Sequence, residues 1–361
     1  MITLFCIHPK GFNVGNEVIH LALRHLLHQA FGRVVNVISL PAISRFESHV
    51  KAGLSSKTIH EINQYGHGVI VGGGNLYENG QLTVDGDALP MLEPPMLLFS
   101  LSRGRIHDRN WKLVTRTDVM PDRTIEALNR KASFSLARDQ ATYDHLQGLG
   151  IEKCQLGACP TIFIDQVADR LPRLTEGDRS GVLLSVRNPE LMNIPLRRQA
   201  SVRDDITRLI AFLRDLGLGP IRLLCHDHRD IPFATTFSDI EYLYTGDVYY
   251  YLSLLRTCTL SVSYRLHATL PCMSFGTPSI NISYDERCQS LMETVGLGDW
   301  NIEMTGDDDV VAQVADRYRR LEELPEIRAG VRAHWDSLQK LNLDVLKQFR
   351  AQVEELAQVN D

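Results

Sequence analysis

Short apolar runs alternate with helical stretches along the first half of the chain. An apolar run bounded by turn residues is typical of a buried strand, and a 3.6-residue period is typical of an amphipathic helix. The runs predict strands at residues 3–7, 34–40, 68–71, 112–115, 133–137 and 154–157. The periodic stretches predict helices at residues 17–30, 122–130 and 139–149.

The same alternation restarts after a polar, turn-rich segment between Leu171 and Gly181, which predicts a linker between two domains. The second half predicts strands at residues 182–186, 221–225, 241–244, 260–263 and 279–283. Its helices are predicted at residues 203–216, 248–257, 266–275 and 286–295. From residue 307 onward the pattern is helical, is broken near Pro325 and ends in an amphipathic helix at about 333–357.

Strands that alternate with helices are typical of βαβ units, in which helices cover both faces of a parallel sheet. We therefore predict an α/β protein with two Rossmann-like, doubly wound domains that face a cleft. The expected boundaries are an N-terminal domain at residues 1–172, a C-terminal domain at 178–330 and a final helix at 331–361 that packs back on the domains.

Composition and charge limit the classes of function. The 361 residues carry 38 Lys and Arg against 44 Asp and Glu, a net charge of −6, so nucleic acid is not expected as a partner. Seven scattered cysteines do not form a disulfide framework. No basic region precedes the apolar start, and the apolar runs fall short of the ~18 residues of a membrane helix. We expect a reduced, cytoplasmic protein without a transmembrane segment, and its oligomeric state stays open.

The first candidate binding loop is residues 11–17, between a predicted strand and a predicted helix. Ligands of open α/β sheets bind there, where helix N-termini present free N–H groups. Asn13, Gly15 and Asn16 are the candidate contacts in this loop. A tight turn with an asparagine N-cap explains the same pattern, and the loop lacks the G-x-G-x-x-G fingerprint of dinucleotide sites.

The second candidate loop is the glycine triplet 72–74 with Asn75, which follows an apolar strand. Three glycines lose much backbone entropy on folding, so a plain connection seldom contains them. Gly73 and Gly74 therefore favour a place where a ligand or another backbone segment comes very close.

The most specific chemistry lies at residues 261–268, which end a predicted strand and begin a helix. Arg265 and His267 fall in or just before the first helical turn, where the helix dipole disfavours a cation. A bound anion, clamped by the guanidinium and the free N–H groups, explains the arginine. His267 beside that anion is placed for proton transfer near neutral pH. An arginine paired with an acidic neighbour, beside a core histidine, is the alternative.

Other segments are weaker candidates. Arg187, at the end of the first strand of the second half, occupies a position expected for a second anion contact. Arg138 precedes Asp139, which an N-cap role explains as well. Residues 225–228, Cys-His-Asp-His, resemble a metal cluster but have no second cluster at zinc spacing, so a structural role is favoured. Core positions explain the tyrosines at 249–251 better than sugar stacking does.

Taken together, these segments resemble the polysaccharide pyruvyl transferase family. Residues 11–17 are similar to its Asn-x-Gly-Asp-Glu signature, and the block beginning Arg-Leu-His-Ala at residue 265 is the most specific match. The similar segments, in chain order, are 11–17, 72–74, 135–140, 146–151, 265–268, 276–278 and 282–285. Their order and spacing agree over roughly residues 8–298.

The resemblance implies a fold similar to that of B-type glycosyltransferases. It also implies transfer of the pyruvyl group of phosphoenolpyruvate to two hydroxyls of a saccharide or glycolipid, with ketal formation and release of phosphate. Phosphoenolpyruvate is then a substrate, and neither a cofactor nor a metal is expected. Arg265, with Arg187, is expected to bind the phosphate and carboxylate, and His267 to be the general acid. The other residues expected to bind substrates are Asn13, Gly15, Asn16, Gly73, Gly74, Asn75, Arg138, Tyr264, Leu266 and Tyr284.

The chain departs from the family pattern at Asn16, where the family usually has Asp. An amide keeps a hydrogen bond but cannot take a proton, and the neighbouring Glu17 points elsewhere on a helix. The acceptor side can therefore differ. Two alternatives stay open: a nucleotide-sugar glycosyltransferase of the same fold, and a related non-ketal-forming or inactive binding protein.

Overall fold

Two parallel six-stranded sheets organise the protein, one in each half of the chain. The computed structural model describes residues 1–44, 51–78, 80–179, 181–306 and 309–360. The strands of the first half are β1 (Thr3–His8), β2 (Asn36–Pro41), β3 (Gly68–Gly74), β4 (Met96–Leu101), β5 (Ile106–His107), β6 (Leu113–Val114), β7 (Phe134–Ala137) and β8 (Cys154–Leu156). The N-terminal sheet has the order β2-β1-β3-β4-β7-β8, and β5 and β6 form a separate antiparallel pair.

The C-terminal sheet has the order β11-β10-β9-β12-β13-β14. Its strands are β9 (Val182–Val186), β10 (Ile221–Cys225), β11 (Glu241–Tyr244), β12 (Leu260–Ser263), β13 (Ser279–Ser283) and β14 (Ile302–Glu303). The first five have the bounds that the sequence predicts. Strands buried on both faces consist of continuous apolar runs, which makes their ends easy to locate.

Helices cover both faces of each sheet. In chain order they are α1 (Val14–Phe31), α2 (Ser56–Tyr65), α3 (Asp122–Lys131), α4 (Gln140–Gly148), α5 (Leu196–Asp215), α6 (Ile231–Ala234), α7 (Val248–Thr257), α8 (Leu266–Phe275), α9 (Glu286–Thr294), α10 (Val310–Arg319) and α11 (Leu324–Asn360). An eleven-residue 3₁₀ segment, Pro160–Arg170, leads from the first half towards the second. Separate apolar cores lie on the two faces of each sheet. The predicted α/β class with two doubly wound domains is confirmed.

Several elements differ from the prediction. Residues 112–115 do not join the main sheet, because β6 pairs only with the short strand β5 among the described strands. The structure adds β4, which is not among the predicted strands, and the glycine triplet 72–74 lies within β3 instead of after it. Helix α11 begins nine residues before residue 333, because proline is tolerated in a first helical turn, where Pro325 lies. Residue 307 lies outside the described residues.

The final helix α11 contacts both halves of the protein. The Trp335 indole donates to the carbonyl of Val295 at 2.7 Å, in the second half. Two turns further on, the Asn342 amide donates to the carbonyl of Gly157 at 2.6 Å, and Phe349 packs in the core beneath the N-terminal sheet. These contacts fix the two sheets relative to each other. The domain boundaries at residues 172, 178 and 330 stay predictions.

Candidate active-site cleft

A cleft of about 600 Å³ lies between the two sheets. Its walls are the loops that follow β1, β3, β7, β9, β10, β12 and β13, all at the carboxyl ends of parallel strands. Ligands of doubly wound sheets bind at this edge. Among the described residues, seven cationic side chains and three carboxylates line the cleft, so its lining favours an anionic ligand.

Eleven of the thirteen predicted site residues line this cleft. They are Asn13, Asn16, Gly74, Asn75, Arg138, Arg187, Tyr264, Arg265, Leu266, His267 and Tyr284. Tyr264 is also a core residue, since its side chain is almost fully buried among apolar residues of the C-terminal sheet. Asn13 accepts a hydrogen bond from the Gly15 amide at 3.0 Å and so caps α1, as the alternative explanation for this loop expects.

The remaining two predicted residues, Gly15 and Gly73, have a different role. A Cβ atom on Gly15 would lie 3.0 Å from the His267 Nδ1 atom, so this glycine makes room for the histidine. A Cβ atom on Gly73, whose φ is +79°, would lie 2.3 Å from the Cγ2 atom of Ile19 on α1. The glycines do permit close approach, but the approaching groups belong to the protein itself.

Two arginines share one buried carboxylate: Arg187, which is half-buried after β9, and Arg265, which is buried at the start of α8. The Arg187 Nη1 atom donates to Asp230 Oδ1 at 3.2 Å, and the Arg265 Nη1 atom lies 3.8 Å from Asp230 Oδ2. Burial and the neighbouring Arg265 lower the pKa of Arg187. The Arg187 Nε atom is buried without a hydrogen-bond partner among the described residues. The pair therefore keeps positive charge and hydrogen-bonding capacity for an anion.

The N-terminus of α8 lies beside this pair. Arg265 is its N-cap residue, which agrees with the predicted position in or just before the first turn. Its side chain makes no capping hydrogen bond. The free N–H groups of a first turn and the positive end of the helix dipole both favour an anion there.

Arg138 reaches the cleft from the N-terminal half. Its Nη2 atom donates to the Ser102 hydroxyl at 2.7 Å, and its Nε atom lies 3.5 Å from Asp139 Oδ2. The Asp139 side chain accepts the Thr142 amide at 2.9 Å and so caps α4. The two interpretations of this segment are therefore compatible, because Asp139 is an N-cap residue and Arg138 lines the cleft.

His267 is half-buried between the two halves of the protein. Its Nε2 atom lies 3.8 Å from the Cys159 thiol, and its carbonyl accepts the Tyr251 hydroxyl at 2.9 Å. Burial, together with the charges of Arg138, Arg265 and Arg287, lowers the pKa of His267 to about 3. With this lowered pKa the imidazole is neutral in the free cleft near neutral pH, and the general-acid role of His267 stays a prediction.

Sequence reasoning missed a charged network on the opposite wall. The Arg287 Nη1 atom donates to Glu78 Oε1 at 3.0 Å, and its Nε atom donates to Asp285 Oδ2 at 3.1 Å. The Arg116 Nε atom lies 3.4 Å from the other oxygen of Glu78. Burial raises the pKa of Glu78, whereas Arg287 lowers the pKa of Asp285 against the effect of burial. Glu78 lies in the N-terminal half and Arg287 in the C-terminal half, so the network joins the two halves. Its only signal in the sequence is Asp285, the N-cap residue of α9, which belongs to the family-like segment 282–285.

Residues 226–229 join the two halves at another point. The His226 carbonyl accepts the Val14 amide at 2.9 Å, and the His226 ring contacts the buried Tyr251 edge to face. Asp227 accepts three hydrogen bonds from Arg229. These contacts give the segment a structural role. In the part of the chain that the structure describes, no group of three or more His, Cys, Asp or Glu side chains is arranged to bind a metal ion.

All seven cysteines are buried and free. No described helix is both long enough and apolar enough to span a membrane.

Comparison with protein families matches residues 116–286 to polysaccharide pyruvyl transferases. The amylovoran biosynthesis protein AmsJ of Erwinia amylovora is 29% identical over 99 residues, which are 26% of this chain and 23% of AmsJ. The chain thus matches about a quarter of the length of this relative. The predicted resemblance is confirmed over that segment.

Solved structures with a similar fold cover nearly the whole chain. The UDP-N-acetylglucosamine 2-epimerase of Rickettsia bellii has a TM-score of 0.55 at 13% identity, over 99% of this chain and 98% of its own. The epimerase of Methanocaldococcus jannaschii in complex with UDP-GlcNAc and UDP has a TM-score of 0.54 at 11% identity, over 89% and 92%. A variant of the wall teichoic acid polymerase TagF has a TM-score of 0.52 at 10% identity, over 99% and 90%. At such identities the likeness concerns the fold, and it confirms the predicted similarity to B-type glycosyltransferases.

Proposed function

We propose that this chain, whose residues 116–286 match the polysaccharide pyruvyl transferases, transfers the pyruvyl group of phosphoenolpyruvate to two hydroxyls of a saccharide or glycolipid. The product is a ketal, and phosphate is released. The observation that carries the proposal is the pair Arg187 and Arg265, which share one carboxylate at the N-terminus of α8, next to His267.

The distribution of cations supports a donor with two anionic groups. Phosphoenolpyruvate carries a phosphate and a carboxylate. Arg187 and Arg265 with the α8 N–H groups are suited to one of them, and Arg138 on the facing wall is suited to the other. The Arg187 Nε atom is buried without a hydrogen-bond partner among the described residues, and the Arg138 Nε atom makes an ion pair with Asp139 at 3.5 Å but no hydrogen bond to a described residue. A donor bound in this way contacts both halves of the protein.

The reaction needs one group that moves protons. One acceptor hydroxyl adds to the central carbon of phosphoenolpyruvate while a proton goes to the methylene carbon, which becomes a methyl group. The carbon–oxygen bond to phosphate then breaks, and the second hydroxyl adds to the same carbon and gives up its proton to the departing phosphate. His267 donates the first proton and receives the proton of the attacking hydroxyl. The arginines and helix N–H groups stabilise the negative charge of the leaving phosphate.

The acceptor side is marked by Asn16. This residue lines the cleft, whereas Glu17 is not among the described lining residues, so no carboxylate takes the place of the family's aspartate at this point of α1. An amide orients a hydroxyl without taking its proton. We therefore assign both proton transfers to His267. The cytoplasmic location and the absence of a cofactor stay predictions from the sequence.

Phosphate release from phosphoenolpyruvate in the presence of a saccharide panel tests the proposal. His267→Ala is expected to keep donor affinity within about threefold and to lose 10²–10⁴-fold in turnover, the range typical of a general acid–base group. Arg265→Ala is expected to lose donor binding itself. Small and equal effects of the two substitutions on turnover would contradict the assigned roles.

An Asn16→Asp variant separates the proposal from an inactive binding protein. Turnover by the parent chain supports the proposal. Turnover by the variant alone, on an acceptor that the parent binds but does not convert, supports the binding protein.

A further inference from the structure

An exposed phenylalanine lies at the mouth of the cleft. Phe12 lines the cleft but is 59% exposed, between Gly11 and the N-cap residue Asn13. Isolated exposed apolar side chains are common on protein surfaces. Two features distinguish Phe12 from those: contacts from the C-terminal half fix its position, and polar groups surround it.

Contacts from the C-terminal half fix the loop and the ring. The Tyr244 hydroxyl donates to the Phe12 carbonyl at 3.1 Å. The ring meets the His228 imidazole edge to face, with centroids 4.5 Å apart. His228 is oriented in turn, since its Nδ1 atom lies 3.2 Å from the buried carboxylate of Asp227. The phenyl ring thus belongs to one half of the protein and is positioned by the other.

The surroundings of the ring are polar. Lys10, Asn13 and Asn16 line the cleft beside Phe12 on the N-terminal side, and Glu190 and Asn193 line it from the C-terminal half. Amide, ammonium and carboxylate groups donate and accept hydrogen bonds. One fixed aromatic ring with several such groups suits a ligand that has an apolar face and a rim of hydroxyls. A pyranose has both.

We propose that Phe12 is the stacking platform for the sugar ring of the acceptor. The ring packs its C–H face on the phenyl ring and directs hydroxyls towards Asn13 and Asn16 and so towards His267. This assignment rests on the proposed function for the identity of the reaction. Its own content is the class of ligand, a pyranose, and the residue that binds it.

Saturation-transfer NMR with the methyl β-glycosides of galactose, glucose, mannose and N-acetylmannosamine tests the platform, in the presence of saturating phosphoenolpyruvate. We expect transfer to at least one glycoside in the parent chain, at least tenfold weaker binding in Phe12→Ala and retained binding in Phe12→Tyr, which keeps the flat ring. Tyr249→Ala is the matched control, because Tyr249 is 39% exposed and is not among the described cleft-lining residues.

Unchanged glycoside binding in Phe12→Ala, or no transfer to any of the four glycosides in the parent chain, would overturn the platform. A parallel titration with phosphoenolpyruvate separates this failure from that of the proposed function. The donor is expected to bind Phe12→Ala as it binds the parent chain, and equal loss of donor and glycoside would show that Phe12 only supports the loop. If the parent chain binds glycosides through Phe12 but not phosphoenolpyruvate, the platform stands and the proposed reaction fails.

Discussion

His267 connects the charge of the cleft to proton transfer. Burial and the charges of three arginines lower its pKa to about 3, so the imidazole is neutral before the donor binds. A bound dianion offsets those positive charges and favours the protonated form. Binding of the donor therefore favours protonation of His267, which can then act as the general acid. In the free protein the histidine adds no further positive charge to the cationic cleft.

Proton uptake on donor binding tests this coupling. At pH 6 the His267 imidazole of the free protein is neutral, because its pKa is about 3. The parent chain is therefore expected to take up more protons on binding phosphoenolpyruvate than His267→Gln does. Calorimetric titration in two buffers with different ionisation enthalpies measures the difference, and the variant corrects for protons lost by the ligand. Identical proton balances in the two proteins would show that the histidine stays neutral.

Gly15 gives a second test at this scale. In Gly15→Ala the new methyl group lies 3.0 Å from His267 Nδ1, so the imidazole must shift by a few tenths of an ångström. We expect turnover to fall about tenfold with unchanged donor affinity, because small misplacements of a catalytic group are costly. Gly86→Ala is the matched control, since a Cβ atom there has no neighbour within 4 Å among the described residues and Gly86 is not among the described lining residues of the cleft. Equal turnover in the two variants would contradict the positioning role.

The glycine triplet of β3 makes close packing between a strand and a helix possible. Gly73 has a positive φ, and Ile19 of α1 occupies the space of its missing side chain. Gly73→Ala is expected to lower the free energy of unfolding by about 2–4 kcal/mol, from backbone strain and overpacking together. Chemical denaturation checks this value against Gly86→Ala, where a Cβ atom has no described neighbour within 4 Å. A difference below about 0.5 kcal/mol would mean that α1 yields easily.

Strand β1 and helix α1 also share a stacked histidine pair. The His8 and His20 rings lie 4.0 Å apart and parallel. Burial and the neighbouring His20 lower the pKa of His8 to about 3, and burial and Arg24 lower the pKa of His20 to about 4. The unfolded chain binds these protons near pH 6.5, so below that pH the unfolded state gains protons that the folded state does not bind. Stability is therefore full above about pH 6.5 and falls as the pH decreases towards 4.

At pH 5 each histidine of the pair is expected to cost on the order of 1–2 kcal/mol. Thermal unfolding as a function of pH should show a shallower acid loss in His20→Gln than in the parent chain. The exposed His60→Gln is the control and should follow the parent. A parallel pH dependence in His20→Gln and the parent would exclude the pair as a source of acid sensitivity.

Helix α11 contacts both halves of the protein and so helps to hold the two walls of the cleft in place. Phe349 is fully buried beneath the N-terminal sheet, so Phe349→Ala is expected to cost about 3–5 kcal/mol. The exposed neighbour Gln348→Ala should cost less than about 0.5 kcal/mol. Denaturation of the two variants measures the contrast. A cost below about 1 kcal/mol for Phe349→Ala would mean that this part of the helix contributes little to its attachment to the N-terminal sheet.

Most of the fold, together with Arg265 and His267 in the cleft, could be predicted from the sequence. Buried parallel strands and capped helices have local signals, so the five main C-terminal strands, Arg265 and His267 could all be placed in advance. The partners of Gly15 and Gly73, the Glu78–Arg287 ion pair and the ring contact of Phe12 depend on which segments approach in space. No local pattern encodes that approach. The lowered pKa of His267 has the same origin, because two of its three arginines lie far along the chain.

Calorimetric titration with phosphoenolpyruvate, with UDP as the comparison ligand, tests the central claim most directly. The parent chain should bind phosphoenolpyruvate saturably, Arg265→Ala should lose at least tenfold in affinity, and Arg214→Ala, which pairs with Asp239 on the surface, should bind like the parent. Binding of UDP without phosphoenolpyruvate would contradict the proposed donor and favour a nucleotide-sugar glycosyltransferase.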